Sequence, residues 1–175
     1  LDRPVVRRRR RKRMIRDRGI QRGEVIRGER NPPSAPDRHP ELYRHFTDLA
    51  SVVQPRSPAA TSFSQAGMSL PCHGTTHADH FYGTVPIIRA LTAEEVAEDY
   101  EHFTGVSIVE HFIKCEINPI EMPAALLTHH APFSWGKSAA KAVDNSIALE
   151  ACAKMALLTY KLNPNSAPIL SLIHI

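Results

Sequence analysis

Gly74-Thr75-Thr76-His77-Ala78-Asp79-His80-Phe81-Tyr82-Gly83-Thr84-Val85-Pro86, with His129-His130-Ala131-Pro132-Phe133-Ser134-Trp135-Gly136-Lys137 further along, sets ionisable groups, small residues and aromatics where a core would take plain aliphatics. Both segments read as site-building loops, and the elements around them decide the fold. Residues 69–72 and 81–88 read as strands, the second rich in β-branched and aromatic residues. Thr92-Ala93-Glu94-Glu95 is a capping box, in which hydroxyl and carboxylate satisfy each other's backbone donors at a helix start. Beyond it Val96, Tyr100, Phe103, Ile108, Val109, Phe112 and Ile113 return to one helical face, with a break expected near Gly105.

Working outward, residues 124–128 fit a central strand, and 138–162 the longest helix, apolar at Ala142, Val143, Ile147, Leu149, Ala153, Ala156 and Leu157 and ending before Pro164. Toward the N-terminus, residues 41–46 suggest a short helix and 50–53 a buried strand. A helix over 57–66 follows, with Ser57 as N-cap and Gly67 just past its end. Residues 23–28 resemble a hairpin edge, and the adjacent Pro32 and Pro33 forbid a helix over 31–36. Strand and helix alternate, which gives a layered α/β domain around a mostly buried sheet.

A chain of 175 residues that is 42% hydrophobic is about one domain long. Its net charge of +4 hides an asymmetry: residues 1–46 hold 15 Lys+Arg against 6 Asp+Glu, and residues 47–175 hold 7 against 12. The basic run at 7–13 repels itself and stays solvated without a polyanion, and residues 1–22 lack apolar periodicity, so this arm is expected to be disordered or non-native. No aromatic platform or zinc-knuckle spacing accompanies it, which argues against a nucleic-acid partner. Cys72, Cys115 and Cys152 are odd in number and far apart, against a disulfide framework. No apolar run approaches the ~18 residues that span a bilayer and no signal-peptide pattern opens the chain, so a cytoplasmic protein without a membrane partner is expected.

Residues able to do chemistry fall in three groups: Thr75, His77, Asp79 and His80; Glu101 and His102; His129 and His130. His73, His77 and His80 have spacings at which imidazoles can converge on zinc, but a carboxylate beside histidines more often orients them. His129-His130, at a strand's carboxyl end, lies where ligands collect in α/β sheets, with one of the pair facing each side of the sheet. Trp135, Phe81 and Tyr82 also fit plain packing, His45, His102 and His111 a helix surface, and Cys115 and Cys152 helix packing.

The chain resembles the class II aldolase/adducin superfamily, and within it the L-ribulose-5-phosphate 4-epimerase branch. The resemblance rests on Gly23-Glu24-Val25 with Gly28, on Glu41-Leu42-Tyr43-Arg44-His45-Phe46, on Gln65-Ala66-Gly67, on residues 74–86, on the 92–110 helix region and on Pro132-Phe133-Ser134-Trp135-Gly136-Lys137. It keeps register from about Gly23 to Pro168, which sets a partial domain at 23–168 and a non-native tail at 169–175. It implies a central mixed, largely antiparallel sheet flanked by helices and incomplete at both ends. The chemistry implied is interconversion of L-ribulose 5-phosphate and D-xylulose 5-phosphate by metal-assisted retro-aldol cleavage and re-addition, in a homotetramer, with Zn2+ as cofactor. By the same resemblance Asp79 is the acid/base, delivered from a neighbouring subunit, Thr75 and Glu101 line the site, His130 is a metal histidine, and Ser34 binds the substrate phosphate.

Departures from the family pattern are as informative. Where the family carries His-Thr-His on the strand before the 57–66 helix, this chain has Gln54-Pro55-Arg56, and arginine has no lone pair to give. Ala35 stands at the acidic ligand and Pro33 at the first phosphate serine, while the N-terminal phosphate loops and the catalytic tyrosine are missing. As written, the chain is expected to bind metal poorly and turn over little substrate. The clean blocks around Asp79 and Trp135 favour local damage to an ordinary epimerase over a pseudoenzyme. Rival expectations are a non-catalytic adducin-like interaction module with a basic arm and a sister sugar-phosphate aldolase.

Overall fold

The computed structural model describes residues 20–21, 24–25 and 38–169. It divides into two compact units, Leu1–Ser34 and Ala35–Ile175. In the first, β1 (Ile20–Gln21) pairs antiparallel with β2 (Glu24–Val25), Ile20 opposite Val25. The expected arm at 1–22 otherwise lies outside the described residues, as do Ser34, Ala35, most of the expected 23–28 hairpin, the 31–36 loop and the tail beyond Ile169. Ile169 itself donates its backbone N–H to the Cys72 carbonyl at 2.8 Å.

The second unit runs α1 (Arg38–His45), β3 (Ser51–Val53), α2 (Pro58–Ala66), α3 (Thr75–Ala78), β4 (Ile87–Ile88), α4 (Ala93–Lys114), β5 (Ala124–Leu127), β6 (Pro132–Gly136) and α5 (Ala139–Leu162). Its sheet has the order β3-β6-β5-β4, with β3–β6 and β6–β5 antiparallel and β5–β4 parallel. This is the α/β architecture expected: a mixed, largely antiparallel sheet flanked by helices. Every residue of β5 and β6 is buried. Because side chains alternate along a strand, Ser134 turns toward α5 and its hydroxyl donates to the Ala142 carbonyl at 3.2 Å. Trp135 turns the other way and packs tilted against Phe46 and edge-on against Phe112, with ring centroids 5.8 and 5.3 Å apart.

Helix ends follow the local chemistry. Thr92 and Glu95 form the expected capping box, and Gly67 closes α2 at φ 64°, a left-handed conformation that glycine adopts without a Cβ clash. Ser57 occupies the N-cap position of α2, yet its side chain makes no cap bond; the Glu150 carboxylate of α5 accepts from the Ala59 and Ala60 amides instead, at 3.1–3.2 Å. Burial, the largest single influence, raises the Glu150 carboxyl, but hydrogen bonds from the Ala60 and Ala59 amides, Ser57 and Lys154 together outweigh it and leave the group below its ordinary range.

Several sequence expectations give way. The strand expected over 81–88 shortens to Ile87–Ile88, since Gly83 turns at φ 81° and Pro86 offers no N–H to a ladder; residues 69–72 contribute only a bridge from Leu70 to Val85. Residues 132–137, read as a loop, include the central strand β6. The irregularity in α4 falls at Asp99 (φ −159°, ψ 86°) rather than Gly105, which is buried within the helix. β3 is half-buried rather than buried, at an edge of the described sheet. Val96, Ile113, Val143, Ile147 and Leu157 are exposed, and Cys115 is an exposed C-cap residue rather than a packed one. Among the described residues no helix is long and apolar enough to cross a membrane.

Candidate active site

The one-turn helix α3 starts after Gly74 and ends on Asp79, because the Asp79 amide returns to the Thr75 carbonyl at 2.8 Å. The turn that follows is pinned by His77, which is buried and donates through Nε2 to the Gly83 carbonyl at 2.8 Å. Burial depresses the His77 imidazole, the Gly83 bond opposes this, and His73 and His80 depress it further, for a net pKa below the ordinary histidine value. His77 is therefore a neutral structural donor. With its Nε2 so engaged and His73 edge-on to Tyr160 at 5.1 Å, the three-histidine zinc arrangement is not formed; among the described residues no three His, Cys, Asp or Glu side chains converge for a metal ion.

Asp79 is exposed and lines a cleft of about 390 Å³. Asp79, Tyr82, Glu121, Lys137, Lys141 and Asn145 line it, as does Trp135. Trp135 is fully buried, its indole N–H donating to the Pro119 carbonyl at 2.7 Å, so it ties the cleft wall to the core. Gly136 is required at the end of β6: a Cβ there would come within 2.8 Å of the Ala142 backbone nitrogen, which sets how closely the first turn of α5 approaches the strand. Thr75 opens α3 and is exposed.

Glu101 and His130 lie elsewhere. His129 and His130 sit in the β5–β6 turn rather than on a strand; His129 is exposed at φ 59°, while His130 is half-buried. Glu101, half-buried on α4, follows Tyr100, whose hydroxyl lies 2.6 Å from His130 Nδ1. On the other side of the ring, Gln54 Nε2 lies 2.8 Å from His130 Nε2. An amide nitrogen can only donate, so Nε2 accepts and the ring proton sits on Nδ1, toward the tyrosine oxygen. Both nitrogens are thereby engaged by neutral partners. With Gln54 and an exposed Arg56 beside it, this donor set does not fit a catalytic divalent cation. His130 is not among the residues lining the Asp79 cleft, so within one chain the two groups do not share a cavity. Ser34 lies outside the described residues.

Sequence reasoning missed the Gln54–His130–Tyr100 chain and the inclusion of Lys141 and Asn145 in the cleft. The Lys141–Asn145 spacing on a helix following Lys137 was the available signal for the last.

The sequence profile of the Class II Aldolase and Adducin N-terminal domain matches residues 13–157. The chain belongs to this family. Among solved structures, this class II aldolase-type chain is similar to L-fuculose 1-phosphate aldolase (TM-score 0.67, 19% identity, covering 85% of this chain and 63% of that one). It is similar also to L-fuculose-1-phosphate aldolase from Thermus thermophilus (0.57, 22%, 81% and 70%) and to a sugar-phosphate aldolase from Thermotoga maritima (0.57, 17%, 81% and 60%). At these identities the likeness establishes the fold. The chain spans under two thirds of the first of these proteins.

Proposed function

We propose that this class II aldolase-type chain is a cytoplasmic sugar-phosphate enzyme of the L-ribulose-5-phosphate 4-epimerase type, impaired in its cation site. What carries the proposal is the presentation of Asp79: a pinned turn holds its carboxylate at a cleft, and among the described residues it has no ion-pair partner. In the proposed chemistry Asp79 takes the proton from the hydroxyl of the departing carbon as the carbon–carbon bond breaks, the bonding pair passing to the enediolate fragment. It returns the proton after the aldehyde has turned and been re-attacked on its other face. Thr75 and Glu101 orient the substrate, Ser34 holds its phosphate, and a neighbouring subunit of a homotetramer brings Asp79 to the His130 side. Zn2+ serves the intact family type; since the donors around His130 do not fit a cation here, no step is assigned to it and little turnover is expected.

The test repairs the donor set. A variant carrying Ala35→Asp, Gln54→His, Pro55→Thr and Arg56→His, supplied with zinc, is expected to convert L-ribulose 5-phosphate to D-xylulose 5-phosphate, followed by NMR, and Asp79→Asn in that background to abolish it. Release of a triose phosphate from L-fuculose 1-phosphate without epimerisation would instead assign the sister aldolase reaction, after the relatives of similar fold. An inactive, zinc-loaded, folded repair variant would leave the interaction-module alternative.

A further inference from the structure

The longest helix is apolar on both sides. One side of α5 packs on β6 and α2 and buries Ala142, Leu149, Cys152, Ala153 and Ala156. On the opposite side Val143, Ile147, Ala151, Met155, Leu158 and Leu162 recur every three or four residues as one exposed stripe, with Ile147 65% and Leu158 58% open to solvent. A water-facing helix turns polar residues outward, and a helix apolar all round belongs in an interior, so the stripe marks a contact surface. Charge on this side is divided along its length. Asp144 stands near the start of α5 and Lys161 near its end, both exposed and neither in an ion pair with a described residue; Lys154, between them, pairs with Glu150 of its own helix at 3.4 Å. Ala151, at the centre, is the smallest side chain of the stripe.

We propose that this face of α5 docks a second copy of the chain, helix against helix and antiparallel, about a two-fold axis near Ala151. Turning one helix end for end sets Ile147 against the partner's Met155 and brings Asp144 within a turn of the partner's Lys161, whereas a parallel pair sets Asp144 against Asp144 and Lys161 against Lys161. Antiparallel helices also oppose their dipoles, and a small residue at the axis lets the backbones approach. At 1.5 Å per residue the seam from Val143 to Leu162 is about 28 Å long, toward the small end of specific interfaces, so the dimer is reversible rather than permanent. The contact joins the same surface twice. It is therefore distinct from the meeting of unlike surfaces that would bring Asp79 of one copy to His130 of the next.

Sedimentation equilibrium of the full chain over about 1–300 µM tests this. The mass is expected to rise twofold across the range. The Ile147→Glu/Leu158→Glu variant, altered only at exposed positions, is expected to lose that step at unchanged circular dichroism and thermal midpoint. Asp144→Lys is expected to weaken association about threefold to tenfold, and Asp144→Lys/Lys161→Asp to restore it. Orientation is read with a short bismaleimide in a Cys115→Ser background, since Cys115 is exposed while Cys72 and Cys152 are buried. Ala151→Cys, at the axis, is expected to crosslink to its own copy in the partner, and Val143→Cys, about 24 Å from its copy along the seam, is not. An invariant mass, a twofold step retained in Ile147→Glu/Leu158→Glu, no recovery in the charge-exchanged variant, or self-crosslinking of Val143→Cys as readily as Ala151→Cys would each overturn the proposal. None of these readouts involves metal or turnover, so their failure leaves the epimerase proposal intact, and an inactive repair variant leaves this contact intact.

Discussion

The Asp79 cleft and the His130 corner are built oppositely. Around Asp79 the scaffold is rigid and the functional groups are open: His77 and Trp135 spend their N–H groups on the carbonyls of Gly83 and Pro119, while Asp79, Lys137 and Lys141 form no ion pair with a described residue. Around His130 the functional group itself is tied up, one ring nitrogen at 2.8 Å from Gln54 and the other at 2.6 Å from Tyr100. A site that keeps its reactive groups available must hold them through other residues. The cleft does this; the corner, with glutamine and arginine in place of imidazoles, satisfies its histidine internally.

This contrast breaks most readily at the cleft's support. Trp135→Ala is expected to cost about 3–5 kcal/mol in urea unfolding, because it removes a fully buried ring packed against Phe46 and Phe112 and leaves the Pro119 carbonyl unmet. Gly136→Ala follows at about 1–3 kcal/mol or more, since its new Cβ meets backbone rather than a side chain that can move. His77→Phe should cost about 1–3 kcal/mol by orphaning the Gly83 carbonyl, with His77→Gln recovering part of it.

The same histidine gives a pH signature. Its folded pKa lies below the unfolded value, so the unfolded chain binds the proton first; the stabilisation is complete above about pH 6.5 and is lost as the pH falls below it. His77→Phe should flatten that acid arm of the stability profile. The smallest effect belongs to the corner: Tyr100→Phe removes one bond to a half-buried ring and should cost about 0.5–1.5 kcal/mol, and a loss as large as that of Trp135→Ala would erase the distinction between a supported cleft and a self-contained corner.

Much of this was legible in the residues. Thr92 and Glu95 announced a helix start, Gly67 a helix end and Ala124-Ala125-Leu126-Leu127 a central strand, because each signal is local and its physics is complete within a few residues. The strand character of Pro132–Gly136 was not, since Pro132, Gly136 and a tryptophan read as loop chemistry until the flanking β3 and β5 bury them. Ser57 looked like a cap, and only the packing of α5 on α2 brings the Glu150 carboxylate to the amides that Ser57 leaves. The departures at Gln54 and Arg56 were visible in sequence, whereas their structural consequence, an imidazole held on both sides, needed residues 54, 100 and 130 to be brought together.

The most direct measurement is the zinc content of the purified chain, dialysed against zinc and then against metal-free buffer, beside the repair variant treated identically. The account predicts well below one equivalent in the chain as it stands and about one equivalent once histidines occupy positions 54 and 56 and an aspartate position 35. A full equivalent of tightly held zinc in the unaltered chain would contradict it.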